Sequence, residues 1–247
     1  MTTKNCLGLA AAIVLIPLAT ASPAANSKDL QALGCMLQPS KIVEVSSPVA
    51  GVLEQVNVSR GDLVRKGNIL FLLKAGVEKA AVELARAKAD FAKRKVQRNI
   101  DLYEDDLLSV HERDEVETEL LLSQMELMLK QEELALRKVA SPIDGVVVDR
   151  LQDEGEYVNV NPVVRLATLD PLHIDLLLPA QYFGKIVVGQ KLMINAAPAM
   201  RKARKADVST VDPLIDPASG TFRVQLVMSN PGNSIPAGLR CSARTTK

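Results

Sequence analysis

Aromatic side chains are scarce in this chain: they make up 3% of its 247 residues, and Trp is absent. Stacking platforms for bases or sugars are therefore few. The near balance of 30 Lys+Arg against 29 Asp+Glu leaves no basic surplus, so nucleic acid is not expected as a partner. Only two His occur, His111 and His173, and no pair of His or Cys stands at metal-ligand spacing. No metal and no cofactor are expected. Ser and Asp are plentiful, yet no nucleophile elbow, phosphate loop or paired-acid motif surrounds them, so the chain does not read as an enzyme. Long apolar runs are also few. Leu7 to Leu18 follows Lys4 and ends in Ala19-Thr20-Ala21. At about a dozen residues this run is shorter than the ~20 needed to span a bilayer, and it reads as a cleavable secretory signal over residues 1–21. No later stretch could span a membrane. Of three Cys, Cys6 would leave with the signal, so the exported chain keeps Cys35 and Cys241. An oxidising compartment allows a disulfide between them, and two reduced Cys in buried strands fit the sequence equally well.

Gly and Pro punctuate most of the chain but are missing from Val77 to Val139, and that gap separates two copies of one pattern. Residues 47–72 and 141–166 align without gaps at an offset of 94 positions. Ser47-Pro48 matches Ser141-Pro142, Gly51-Val52 matches Gly145-Val146, and Gly61, Val64 and Leu72 match Gly155, Val158 and Leu166. Each copy reads as short strands around turns: Pro at a strand entry, Gly51 and Gly145 at bends, Gly61 and Gly155 in polar tight turns. Neither copy has enough strands to bury a core alone, so the two are expected to form one small sandwich.

The intervening segment is rich in Ala, Leu, Glu, Lys and Arg. In its first arm Val82, Ala85, Ala89, Ala92, Val96 and Tyr103 form a stripe, with Leu84 and Phe91 flanking it. In the second, Leu122, Met125, Leu129, Leu136 and Val139 form another, with Leu121, Met128 and Ala135 alongside. These are coiled-coil spacings, interrupted by Asn99 and Glu132, and they predict that the stripes are packing faces. Asp105-Asp106 marks a reversal, and Ser109 with Glu112 fits a capping box that opens the second arm. Two antiparallel helices of about 30 residues, each about 45 Å long, would make a rod projecting from the sandwich.

After Leu169 strand signals return: Leu172 to Leu178, Lys191 to Ile194, Ala206 to Val211, Thr221 to Met228 and a possible last strand at Cys241 to Arg244. Asp212-Pro213, Asp216-Pro217, Ser219-Gly220 and Asn230-Pro231-Gly232 supply turns. A small β-barrel is expected, with Gln38 to Val45 lending it a strand and bringing Cys35 towards Cys241. The basic run Arg201-Lys202-Ala203-Arg204-Lys205 reads as a solvated loop between barrel strands, the other reading being contact with a transporter or anionic headgroups.

This nested order resembles the membrane fusion proteins of the HlyD-like family, periplasmic adaptors of tripartite efflux systems. Val45-Ser46-Ser47-Pro48-Val49-Ala50-Gly51-Val52 and Gly61-Asp62-Leu63-Val64-Arg65-Lys66-Gly67 look like a first lipoyl half, and Ala140-Ser141-Pro142-Ile143-Asp144-Gly145-Val146 opens a second. Asp212-Pro213 with Asp216-Pro217-Ala218-Ser219-Gly220-Thr221-Phe222-Arg223-Val224 looks like the family's barrel motif. The resemblance implies an α+β fold: a split lipoyl-like β-sandwich with an inserted antiparallel coiled-coil α-hairpin, plus a small β-barrel domain. The divisions expected are a signal peptide at 1–21, an N-terminal strand joining the barrel at 36–46, lipoyl-like halves at 47–74 and 140–169, the hairpin at 76–139 and the barrel at 170–247.

The resemblance also implies partners. An inner-membrane transporter, of RND type or of ABC type, and a TolC-like outer-membrane channel would be bridged by a homo-oligomeric ring in the periplasm. Adaptors that dock onto such channels carry an Arg, a Leu four residues on and a Ser or Thr seven beyond. Arg98, Leu102 and Ser109 match this pattern, although Asn99 stands where the family often has Leu. The bland reading makes Arg98 a solvated charge, Leu102 a packing residue and Ser109 a helix cap. Few residues separate the signal from Cys35, and the chain stops soon after the barrel. No membrane-proximal domain is therefore expected, and the hold on the membrane would come through the transporter. Two rival readings exist: a transporter-independent periplasmic coiled-coil protein, and a lipoyl or biotinyl carrier using Lys74. The second lacks the Met-Lys-Met or Asp-Lys-Ala context of a modified Lys.

Overall fold

The computed structural model describes residues 30–104 and 109–246. The N-terminal strands are β1 (Gly34–Ser46), β2 (Gly51–Val56), β3 (Leu63–Val64) and β4 (Ile69–Leu73). Helices α1 (Gly76–Glu104) and α2 (Val110–Ala135) follow, then β5 (Lys138–Ala140), β6 (Gly145–Arg150), β7 (Tyr157–Val158) and the long β8 (Pro162–Pro179). The chain closes with β9 (Lys191–Asn195), β10 (Arg204–Val211), β11 (Thr221–Met228) and β12 (Ser242–Thr245). The signal-like segment 1–21 and the expected reversal at Asp105-Asp106 lie outside the described residues.

The sequence repeat becomes a pseudo-two-fold exchange of hydrogen bonds. The Leu53 N–H donates to the Glu156 carbonyl, and at the repeat offset the Val147 N–H donates to the Asp62 carbonyl. Likewise the Gly61 N–H donates to the Val147 carbonyl and the Gly155 N–H to the Leu53 carbonyl. Strand pairing follows suit: Gly51 faces Val158 as Val64 faces Gly145. Each copy completes the other, and both line one core containing Leu53, Leu70, Phe71, Leu73, Val147 and Leu166. Ser47 and Ser141 are buried at the entry to each copy, and their hydroxyls donate to the carbonyls of Val49 and Ile143. Each satisfies a polar group that would otherwise be costly to bury.

Residues 36–46, expected as an N-terminal strand joining the barrel, lie within β1, which pairs with β8 in two stretches. From Gly34 to Pro39, β1 pairs with β8 from Leu177 to Leu172; from Lys41 to Val45 it pairs with β8 from Thr168 to Val164. The first stretch contributes Leu37 to the core that holds Leu172, Ile174 and Leu176. The second contributes Val45 to the sandwich core. A register shift between Pro39 and Lys41 divides them. Two cores thus share one antiparallel ribbon, and β6 and β11 cover the other edge of β8 along its two stretches. Each strand is long enough to line both cores.

Beyond this ribbon the sheet continues β8-β11-β10-β9-β12. The segment before β12 returns to β1: the Leu37 N–H donates to the Leu239 carbonyl, the Gly238 N–H to the Leu37 carbonyl and the Cys241 N–H to the Cys35 carbonyl. These bonds tie the segment before β12 to the free edge of β1.

The helices run antiparallel, with Lys88 paired to Glu126 at 3.0 Å and Lys95 to Glu119 at 2.7 Å. Val82, Ala85, Ala89 and Ala92 of α1 are buried, as their stripe predicts. The second stripe is a correction. Leu122, Met125 and Leu129 are exposed at 64%, 49% and 56%, and Leu121, Met128 and Leu136 are exposed beside them. Val116 is the buried residue of α2, with Leu120, Leu127 and Leu134 half-buried in line with it. Val139 belongs to β5 in the sandwich core. Apolar residues occupy two faces of α2, and rotation about its axis decides which one meets α1. Glu119 and Glu126, adjacent to Leu120 and Leu127, reach the α1 lysines only when the narrower face points inward. At the base Arg137 donates to Glu78 at 2.6 Å and to the Ala50 carbonyl at 3.0 Å, which ties the helix pair to the sandwich.

Candidate functional site

The candidate partner-binding residues lie at the end of the helix pair farthest from the sheets. Arg98 and Leu102 are exposed on α1, one turn apart on the same face, and Leu102 keeps 41% of its surface open. Ser109 is the N-cap of α2. Its oxygen accepts from the Glu112 N–H at 3.3 Å, and its own N–H donates to the Glu112 carboxylate at 2.9 Å. Its hydroxyl also donates to that carboxylate at 2.7 Å. The Ser109 N–H, then its hydroxyl, hold the Glu112 carboxyl below the usual carboxylate range. Ser109 therefore has a structural task, whereas Arg98 and Leu102 are exposed on the side of α1.

What this end can do chemically is bind by shape and charge. It offers a guanidinium, an aliphatic side chain and, on α2, an open groove past His111, Glu115, Leu122 and Glu126. The α1 helix carries seven Lys/Arg against five Asp/Glu, and α2 two against eight. Sequence reading saw the stripes but missed this division of charge, which a separate count for each arm would have revealed.

The remaining candidates sit elsewhere. Cys35 and Cys241 form a disulfide with their Cα atoms 4.9 Å apart, across the seam where the segment before β12 meets β1. Arg201 and Lys202 are exposed in the connection between β9 and β10, while Arg204 begins β10 and reaches Ser234 at 3.5 Å. Lys74 is exposed just before α1. No helix among the described residues is long and apolar enough to cross a membrane.

A family model, the CzcB-like barrel-sandwich hybrid domain, matches residues 41–167. That range covers both copies of the repeat and everything between them. The chain belongs to this family, among the membrane fusion proteins. The cobalt-zinc-cadmium resistance protein CzcB of Cupriavidus metallidurans is 26% identical over 81% of this chain and 41% of its own length. The multidrug resistance protein MdtE of Escherichia coli is 23% identical over 83% of the chain and 61% of its own. Thus this membrane fusion protein spans roughly two fifths to three fifths of these curated relatives. Among solved structures, a MacA-MexA chimeric protein containing the α-hairpin domain of Pseudomonas aeruginosa MexA superimposes with a TM-score of 0.76. The match covers 90% of this chain and 84% of that one at 20% identity, and shows the shared fold.

Proposed function

We propose that the chain is a periplasmic adaptor that links an inner-membrane efflux transporter to a TolC-like outer-membrane channel. The observation that carries this reading is the exposed helical pair inserted between two halves of one sandwich, in a chain whose curated relatives bear resistance names. The sandwich is the split lipoyl-like domain over 47–74 and 140–169, the helix pair over 76–139 is a coiled-coil hairpin, and residues 170–247 form a β-barrel joined by the N-terminal strand. The hairpin tip, with Arg98, Leu102 and Ser109, meets the channel; the barrel meets the transporter. Weak contacts repeated around a ring of adaptors would add up to a stable bridge.

Affinity purification of the tagged protein from cross-linked cell envelopes tests the assignment. Recovery of an inner-membrane transporter together with an outer-membrane channel is expected; recovery of neither, where another tripartite complex survives, rejects it. The transporter is proposed to be of RND type, driven by protons, with an ATP-driven ABC type as the competing assignment. Export that collapses with a protonophore while ATP is maintained supports the first, and export that persists supports the second.

A further inference from the structure

The outer face of the 170–247 domain carries a groove of about 560 Å³ beside the seam where the segment before β12 meets β1. Strand pairing fixes what stands in it. Ile174, Leu176 and Leu178 of β8 point into the core, so Asp175 and Leu177 between them point outwards. Residues directly opposed in an antiparallel ladder share a face. Met36 lies opposite Asp175 on one side and Arg240 on the other, which makes Arg240, Met36 and Asp175 one row across the sheet. In the next row Leu177 lies opposite Arg223 of β11. All five residues line the groove.

Its charges are not matched to one another. Asp175 holds its Oδ1 out of contact with solvent, and that oxygen accepts no hydrogen bond among the described residues. Asp175, Arg223 and Arg240 form no ion pair among those residues either. The same two strands settle a charge differently at another level, where Arg165 lies opposite Glu44 and reaches it at 2.7 Å. Opposite Asp175 stands an apolar side chain instead, and a half-buried carboxylate without a donor is costly. Between the acid and the guanidinium groups the groove is apolar, with Met36 and Leu177 exposed at 43% and 38%. The Cys35–Cys241 disulfide ties the seam to β1, so the backbone at Arg240 is fixed relative to Asp175, about 10 Å away across two strand spacings.

A simple anion in this groove would face the Asp175 carboxylate, and a simple cation would face two guanidinium groups. A zwitterion meets both. We propose that the groove is a binding site for a free aliphatic α-amino acid: Asp175 receives its ammonium, Arg223 and Arg240 donate to its carboxylate, and its side chain lies on Met36 and Leu177. The volume suits a small molecule, and the few polar groups converge over an apolar floor, as recognition of such a ligand requires. The site is built from β1, β8, β11 and the seam alone, so it goes beyond the adaptor reading and does not depend on it.

Titration of L-leucine into the purified, disulfide-bonded protein, followed through backbone amide shifts, tests the proposal. Saturable shifts at Met36, Asp175, Leu177 and Arg240 are expected, with a Kd of about 1 mM or tighter. Isopentylamine and 4-methylpentanoate, which each keep one of the two charges, should bind at least about tenfold more weakly. Arg223→Gln and Arg240→Gln should each weaken L-leucine by at least about threefold. Asp175→Asn should lose L-leucine by about tenfold yet bind 4-methylpentanoate more tightly than the parent does, because the anion no longer faces a carboxylate. Its Tm should not fall, since the substitution removes a charge that lacks a partner. Absence of saturable shifts up to about 20 mM L-leucine, or shifts confined to other surfaces, overturns the proposal. Equal binding of L-leucine and 4-methylpentanoate would make this a plain anion groove and overturn it as well. So would an Asp175→Asn variant that binds L-leucine as the parent does, or one whose lost binding comes with a lowered Tm and no gain for 4-methylpentanoate.

Discussion

Ser109 and Glu112 show how one pair of side chains starts a helix. The Glu112 carboxyl is held low by the Ser109 N–H and hydroxyl, so its contribution is complete above the ordinary carboxylate pKa and is lost as pH falls through the lowered value. Amide exchange in the first turn of α2, corrected for intrinsic rates, should therefore accelerate on acidification. Ser109→Ala removes the hydroxyl but keeps the backbone N–H, so it should reduce that dependence without abolishing it and weaken the helix by about 1 kcal/mol; exchange that ignores both changes would contradict the cap. A second residue-scale device is the disulfide, whose partners are 206 positions apart. Closing so long a loop restricts the unfolded chain, and Cys35→Ser with Cys241→Ser should cost about 2–4 kcal/mol, read as a lowered Tm against the oxidised parent.

Among the elements, the two halves of the sandwich look interchangeable in sequence but differ at their matched glycines. A Cβ at Gly145 would strike the Ala167 carbonyl oxygen on the neighbouring strand, which cannot move without breaking the ladder. A Cβ at Gly51 would meet the Arg137 guanidinium at 2.7 Å, the far end of a flexible side chain. Gly145→Ala should therefore destabilise by about 1–3 kcal/mol and Gly51→Ala by less than about 1 kcal/mol, measured by urea unfolding. Equal losses would mean that β6 and β8 give way more easily than their packing suggests. The repeat was legible because turns need Gly and Pro at fixed places. Its consequence, that each half completes the ladder of the other, follows from pairing between distant strands.

At the scale of the whole molecule, one ribbon of β1 and β8 joins two cores, and a rod of two helices leaves the first of them. Leu102→Asp places a charge at the far end of that rod, where the wild-type side chain is already 41% exposed. Export should be lost while Tm stays within about 2 °C of the parent, since surface substitutions rarely cost more than ~0.5 kcal/mol. Unchanged export would move the channel contact away from this end.

The sequence by itself determined the elements and their order, because the signals are local: Gly and Pro at turns, Ala, Leu and Glu through the helices, and Ser109 with Glu112 at a cap. Arg98 and Leu102 became candidates only through resemblance to channel-docking adaptors. Only the tertiary structure decided that Lys41 to Glu44 pair along the sandwich stretch of β8, that Cys35 and Cys241 are bonded and not two free thiols, and which apolar face of α2 turns inward. All three depend on partners far away in the chain. The α2 face shows the reason most plainly: Leu122 and Leu129 make as good a stripe as Leu120 and Leu127. The choice fell to Lys88 and Lys95 on another helix, and to the Arg137 clamp at the base.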